Sequence, residues 1–467
     1  MATMSNPYAR IGLTSQLLQM YGYRSQVRSI LEKISATPPG SVELLGLPGM
    51  GKTTLLRHLA SVSSTTDSAD REWLQAPFDD HPYRLMPVLV EFRLLPTGKH
   101  PLVYIHKRFS EDWRQYRSRA AIDPSLPDDA LAPPPERRLA DADTAAQVIE
   151  EYIQLLKDAG VRTVLLLDDF DLALAHMSYE DATRMRPWRD AVAFVLATEL
   201  PFHTVQSQAA GSPFFQTIPL ERIAGFTIDE ARQAVRKPAL DIGVELLASD
   251  IDFVLQQSGG HPHLLVLAAK SLWDLRAQLN LNDREPLARH EAILRGRLAE
   301  DFSRTFHVYL KQLTDAELRI LRALSAKTAH PLNGSDLTAL ASLEAKGIAC
   351  FDPGTGLYRP FSPLFADFMT GSTGGWSAQQ KPIPADMSKL ERSLYEYLRG
   401  HAGRECTIEE LSREVWQSAD AEGAKRRIQV TVSRLRNKLR ASTGEDILAA
   451  RDRGYRLVPA QASAVKP

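Results

Sequence analysis

Cysteine is nearly missing from this chain: Cys350 and Cys406 are the only two among 467 residues. They stand far apart with no Cys or His at metal-ligand spacing, so a disulfide framework and a zinc site are both excluded and the thiols read as packing groups. Long hydrophobic runs are missing too. The longest, such as Val161 to Leu167, fall short of the roughly 18 residues a membrane span needs. The opening MATMSNPYAR has no signal-peptide core, so the expectation is a cytoplasmic protein with no membrane partner. Charge of one sign is not in excess either. With 56 Lys and Arg against 57 Asp and Glu the net charge is −1, which taken alone argues against a nucleic-acid partner. That average hides a gradient at the C-terminus. From Asp386 to Ala424 there are 5 basic and 9 acidic residues, net −4, and from Lys425 to Pro467 there are 11 and 3, net +8.

What is present begins with Ser41 to Ala60, SVELLGLPGMGKTTLLRHLA. A strand-like run (Val42, Leu44, Leu45) turns through Gly46, Gly49 and Gly51 into a helix-favouring segment, the pattern GxxxxGK[ST] of a P-loop. Backbone N–H groups free of side-chain obstruction point at phosphate oxygens beside a helix N-terminus. Lys52 supplies a point charge for the β- and γ-phosphates, Thr53 a hydroxyl for Mg²⁺, and Thr54 a second donor. The second anchor, Val161 to Asp171 (VRTVLLLDDFD), lies about 115 residues downstream. It reads as a parallel strand buried on both faces whose carboxylates fall at the C-terminal edge, where open α/β sheets bind ligands. Asp168 is placed to hold Mg²⁺ and Asp169 to orient or deprotonate water, while Asp171 reads as a loop acid or a reinforcement of either.

A chain of 467 residues needs roughly three or four domains at about 150 residues each. Ahead of the P-loop, Tyr23 and Arg24 precede an amphipathic helix with Val27, Ile30, Leu31 and Ile34 on one face. After it come a strand over Met86 to Leu95 and a helix over Val103 to Tyr116. A proline-rich surface insertion over Ala120 to Thr144 follows. Ala191 to Thr198 is a further strand ending in the polar pair Thr198 and Glu199, a phosphate sensor or a plain strand cap. A short strand is expected near Thr217 to Leu220, then a helix with a capping box from Thr227 to Glu230. Gly259, Gly260, His261, Pro262 and His263 open another helix, and the histidines have no third partner for a metal.

In this order the motifs resemble the STAND-type signalling ATPases, the AAA-related branch with NB-ARC and NACHT proteins, over about residues 6 to 370. The resemblance implies an α/β fold, a P-loop NTPase with a five-stranded parallel sheet and a helical lid. It implies binding of ATP or ADP with Mg²⁺, Pro262 near the adenine, and Arg24 in the position of a hydrophobic-Gly-Arg motif, although the order here is Gly-Tyr-Arg. An Asp168–Asp169 pair in place of Asp-Glu resembles the slow, switch-like ATPases. Arg184, Arg186, Arg189 and Arg222 are arginine-finger candidates by location alone. Leu313 to Met369 reads helix, helix, helix, hairpin, the winged helix that such proteins carry as a clamp. It has little positive charge on its second helix and so is expected to face a protein.

Beyond a linker-like stretch, RRIQVTVSRLRNKLR gives a helix with Ile428, Val432, Leu435 and Leu439 on its buried face. Arg426, Arg427, Gln429, Ser433, Arg434 and Asn437 are left outward, and RDRGYRLVP closes as a hairpin carrying Arg451, Arg453 and Arg456. This resembles the OmpR/PhoB-type winged-helix DNA-binding domain, which implies duplex DNA as partner. An Arg, Gln and Asn face fits a major groove, and wing arginines reach phosphates or the minor groove. The expected domains are 1–225 (ATPase), 226–310 (lid), 311–370 (winged helix), 371–386 (linker) and 387–460 (DNA-binding winged helix). The expected function is an ATP-dependent transcription regulator that self-associates in its ATP state. A defence or stress ATPase recruiting a protein partner, and a DNA-loaded AAA+ assembly factor, are the rival readings.

Overall fold

Five apolar stretches pair side by side in parallel: β1 (Val42–Leu45), β2 (Arg84–Glu91), β3 (Val161–Asp168), β4 (Val192–Thr198) and β5 (Leu220–Arg222), in the spatial order β2-β3-β4-β1-β5. In this computed structural model the described residues are 6–9, 22–62, 84–120, 141–279, 290–327, 334–371, 387–400, 406–416, 421–442, 445–450 and 454–459. They fall into two compact units, Met1–Ser377 and Ala378–Pro467.

The sheet is buried on both faces, which is why β3 and β4 read as unbroken apolar runs rather than alternating ones. Val164, Leu166, Val195 and Ala197 enter one core, whereas Leu165, Leu167, Phe194 and Leu196 enter the other. Burying each such side chain is worth about 1.5–3 kcal/mol. Of the polar residues in β3, Arg162 is buried because its guanidinium caps the carbonyls of Ile34 (3.1 Å) and Ala36 (2.7 Å) at the end of the helix Arg24–Ser35. The first core does not stop at the sheet. It runs on through the helices Ile228–Leu240, Ala248–Ser258, Pro262–Gln278 and Glu291–Lys311 into Ile320, Leu343, Phe361 and Phe365 of the first winged helix.

Capping boxes start the helices at Thr227 with Glu230 and at Thr314 with Glu317. Three expectations shift. The last sheet strand begins at Leu220 rather than Thr217, because Ser212 and Pro213 first wind a single-turn helix over Pro213–Gln216. Of the expected insertion, residues 121–140 lie outside the described residues. Ala120 ends the helix Pro101–Ala120, and Asp141 caps the next one by accepting Thr144 N–H at 2.7 Å. In the first winged helix two helices, Asp315–Ser325 and Gly334–Ala345, precede the hairpin β6 (Ala349–Asp352) and β7 (Leu357–Pro360). The third, Pro363–Thr370, follows it, and Ser362 caps it through Phe365 N–H.

The second unit packs the helices Lys389–Gly400, Ile408–Glu414 and Ala421–Ser442 around Leu394, Tyr395, Leu411, Leu435 and Leu439. A three-stranded antiparallel sheet of β8 (Cys406–Thr407), β10 (Gly454–Pro459) and β9 (Glu445–Ala450) closes it. Gly454 is needed there: a Cβ at this position would overlap the carbonyl of Cys406 on β8. Among the described residues no helix is long and apolar enough to cross a membrane, and Cys350 and Cys406 form no disulfide with each other.

Candidate nucleotide site and nucleic-acid face

Between β1 and the helix Lys52–Val62, Gly49 and Gly51 stand at φ +77° and +83°, in the left-handed region. A Cβ on Gly49 would also come within 2.9 Å of His263 Cβ. Every carbonyl from Gly46 to Gly51 accepts a hydrogen bond. Lys52 Nζ donates to Gly46 (2.6 Å) and Leu47 (3.2 Å), and the Tyr309 hydroxyl to Pro48 (2.9 Å). His263 N–H donates to Gly49 (3.2 Å), the Tyr23 hydroxyl to Met50 (2.6 Å) and Leu55 N–H to Gly51 (2.9 Å). The N–H groups of Gly49, Gly51, Lys52, Thr53 and Thr54 have no backbone acceptor among the described residues. With its carbonyls fastened and its donors free at a helix N-terminus, the loop is built to take a multiply charged anion.

The charges around it follow. Lys52 is 7% exposed, and burial lowers its pKa against the pull of Glu199 first, then Asp168, Asp171 and Asp169. Asp168, at the end of β3, is 2% exposed beside the Thr53 hydroxyl, and its Oδ1 has no hydrogen-bond partner among the described residues. Burial pushes its carboxyl up to about 6. An orphaned, desolvated carboxylate oxygen beside a threonine hydroxyl suits Mg²⁺, which takes one or two carboxylates and completes its shell with phosphate and water. Among the described residues no group of three or more His, Cys, Asp or Glu side chains is arranged to hold a metal unaided. Asp169 adopts φ 49° and accepts both Arg93 Nε (3.1 Å) and Arg93 Nη2 (3.3 Å). Burial raises the carboxyls of Asp171 and Glu199 beside it.

The structure brings Gly46, Gly49, Gly51, Lys52, Thr53, Asp168 and Asp169 to this one edge. Thr54 is exposed on the first helical turn, and Arg24, also exposed, opens the helix after Tyr23. Pro262 is buried at the first position of its helix, between His261, which bonds Tyr309, and His263, which bonds the loop. At the end of β4 the placement differs from the expected sensor. Thr198 is fully buried and its hydroxyl donates to Glu43 (3.2 Å) inside the sheet; the next residue, Glu199, faces Lys52. Of the arginine-finger candidates, Arg184 is held by Asp143 and Asp181 and Arg189 by Thr217. Arg93, Tyr309 and Gln312 were not singled out in the sequence. Gln312 enters the site by donating to Glu199 Oε2 at 3.1 Å.

In the second unit, the helix Ala421–Ser442 buries Ile428, Val432, Leu435 and Leu439 and exposes Arg426, Arg427, Gln429, Ser433 and Arg434, together with Val430 at 46%. Two more cations on this helix are used internally. Arg436 donates to the Ile447 carbonyl on β9, and Lys438 pairs with Glu391 at 2.9 Å. The exposed face thus keeps the arginines at 426, 427 and 434. Asn437 lies in the helix, but its side chain falls outside the description, and Arg451 and Arg453 lie outside the described residues. Arg456 is exposed on β10.

Compared with known proteins, residues 22–186 match the AAA ATPase domain family, and residues 382–457 match the family described as transcriptional regulatory protein, C terminal. No curated protein matches the chain. Among solved structures, a Walker-type ATPase of Pyrococcus abyssi is similar at 15% identity over 74% of this chain and 95% of that one, with a TM-score of 0.44. The Aeropyrum pernix ORC2 protein in its ADPNP–ADP complexes is similar at 15% identity over 74% and 92%, with a TM-score of 0.43. The chain carries an AAA ATPase domain followed by the C-terminal domain of transcriptional regulatory proteins.

Proposed function

We propose that this chain is an ATP-dependent transcription regulator of the STAND type, in which the nucleotide held by the P-loop sets the DNA-binding activity of the C-terminal domain. The observation that carries this reading is the fastening of the P-loop carbonyls by residues from outside the sheet: Tyr23 before it, His263 from the lid, and Tyr309 from the helix that leads into the first winged helix. A nucleotide held by the N–H groups of that loop would bear on a backbone that all three fasten. Lys52, Thr53 and Thr54 would bind the β- and γ-phosphates. Thr53 and Asp168 would hold Mg²⁺, which supplies the positive charge that neutralises those phosphates. Asp169 would position water for a slow hydrolysis, and Arg24 and Pro262 would line the nucleoside side. Arg426, Arg427, Gln429, Ser433 and Arg434, with Asn437, Arg451 and Arg453, would contact duplex DNA. Exposed Leu337, Phe351 and Leu357 on the first winged helix favour a protein partner for that domain.

The experiment is titration of the full chain with fluorescent ADP and ATP in Mg²⁺. Lys52→Ala is expected to weaken both by roughly 30-fold or more, the factor for a charged contact worth about 2 kcal/mol. Equal affinity in variant and wild type would remove the assignment.

A further inference from the structure

The helix Glu291–Lys311 ends against the nucleotide site in two places, the phosphate loop and the residue just past β4. Tyr309 bonds the Pro48 carbonyl, and Gln312 follows three residues later, just past the helix end. Gln312 Nε2 donates to Glu199 Oε2 at 3.1 Å, while its Oε1 is buried with no hydrogen-bond partner among the described residues. The same residue is fastened from the other side. Lys346, at the end of the second helix of the winged helix, donates to the Gln312 carbonyl (3.3 Å) and to Glu317 Oε1 (2.7 Å), and Glu317 is buried in the capping box that starts that domain. A continuous chain of polar contacts therefore runs Glu199, Gln312, Lys346, Glu317, from the edge of the sheet into the winged helix.

We propose that the Glu199–Gln312 contact distinguishes a nucleoside triphosphate from a diphosphate and transmits the difference to the first winged helix; this rests on the nucleotide-switch reading above. Glu199 is the carboxylate with the largest electrostatic pull on Lys52. A third phosphoryl group placed at Lys52 carries the same sign of charge as Glu199 and competes with it for that cation and for the neutral amide donor. The Gln312 side chain has a second N–H to offer and a buried oxygen with no partner among the described residues, so its amide is held by the one charge-assisted bond to Glu199. With the diphosphate, Gln312 stays on Glu199 and the helix end stays in place. With the triphosphate, the amide exchanges the carboxylate for phosphate oxygen, and the end of the helix moves with Lys346 and Glu317 attached. Gln312 is thus a positioning residue: it acts on the winged helix through Lys346 and takes no part in breaking a bond.

The test uses the full chain with ADP or a non-hydrolysable ATP analogue, read by equilibrium titration and by amide exchange over residues 315–371. Wild type is expected to bind both and to exchange differently in the two states across the winged helix. Gln312→Ala should bring the ratio of the two dissociation constants toward one by roughly 5-fold or more, the lower end of ordinary coupling, and make the two exchange patterns alike. Gln312→Glu sets two carboxylates face to face and should raise winged-helix exchange without nucleotide. The exchanged pair Glu199→Gln with Gln312→Glu restores an amide–carboxylate contact and should restore protection. An unchanged ratio in Gln312→Ala, or no recovery in the exchanged pair, would overturn the proposal, as would a wild type that binds both nucleotides with identical exchange. A wild type that binds neither nucleotide would instead overturn the nucleotide reading itself.

Discussion

Arg93 is a residue mostly in water that nonetheless controls a buried neighbour. Its side chain is 72% exposed, so its ion pair with Asp169 contributes under about 1 kcal/mol to stability. The two-point contact matters for direction instead: it turns both Asp169 oxygens toward a guanidinium rather than toward a water molecule. Arg93→Ala should therefore raise basal ATP turnover a few-fold, and Asp169→Asn should lower it by about 10², the smaller end of a general-base effect. Asn suits the φ of 49° at this position better than Ala does, so the backbone survives the test. Steady-state phosphate release decides, and equal turnover in wild type and Asp169→Asn would end the assignment. Glu43 offers a stability test. Burial pushes it up to about 7 from 4.5, so the folded state binds its proton more tightly than the unfolded state. The stabilisation is full below about pH 4.5 and is lost as pH rises to about 7. Asp168, Asp171 and Glu199 act in the same sense. Glu43→Gln should flatten the fall in Tm between pH 5 and 8, by roughly 2–4 °C for each kcal/mol removed, as read from the difference between the two melting profiles.

The recognition helix keeps its apolar positions at 428, 432, 435 and 439 in one core and loses Arg436 and Lys438 to internal bonds, which leaves a short outward face. Arg434, on that face, is expected to contact base edges, and Arg456 on the wing strand to contact phosphate. Arg434→Ala should cost about 1–3 kcal/mol on the preferred sequence and relax the preference. Arg456→Ala should weaken all duplexes alike and reduce the salt slope by about one. Binding titrations of the full chain at three salt concentrations separate the two, and identical effects would collapse the distinction. Elements like this one were legible because their signals are local. Helical spacing showed which face is buried, glycines at required turns marked the P-loop, and Thr227 with Glu230 marked a helix start. The sequence shows Thr198 and Glu199 only as a polar pair at a strand end, a phosphate sensor or a plain strand cap; strand alternation turns Thr198 inward to Glu43 and leaves the first residue past the strand at the site. Arg93, Tyr309 and Gln312 had no local signal. Tyr309 reaches Pro48 across 261 positions, and only packing of the whole first unit brings it there.

At the scale of the molecule, the first unit has a core that passes from the sheet through the lid into the winged helix, with Val195, Leu265, Phe302, Phe361 and Phe365 in one cluster. A shift at the phosphate loop is therefore felt by every layer that shares it, since close-packed interiors do not absorb displacement locally. The DNA-binding unit sets the other requirement. One recognition helix covers only a short half-site, and specific affinity at physiological salt calls for two copies on adjacent half-sites. If the triphosphate state of the ATPase domain self-associates, the second reader binds at a raised effective concentration, a gain of roughly 10² to 10⁴ with no new base contact. The nucleotide must then favour the associating state by its own differential affinity, because a ligand that binds two states equally shifts nothing. In the non-hydrolysable analogue, light scattering should show a multimer, and an operator with paired half-sites should bind at least 10-fold more tightly than in ADP. Inserting about 5 base pairs between the half-sites turns one by half a helical repeat. That insertion should remove most of the gain in the analogue and leave ADP-state binding unchanged. Constant mass together with constant operator affinity in the two nucleotides would refute the coupling, and the ATPase and the DNA reader would then share a chain without sharing a switch.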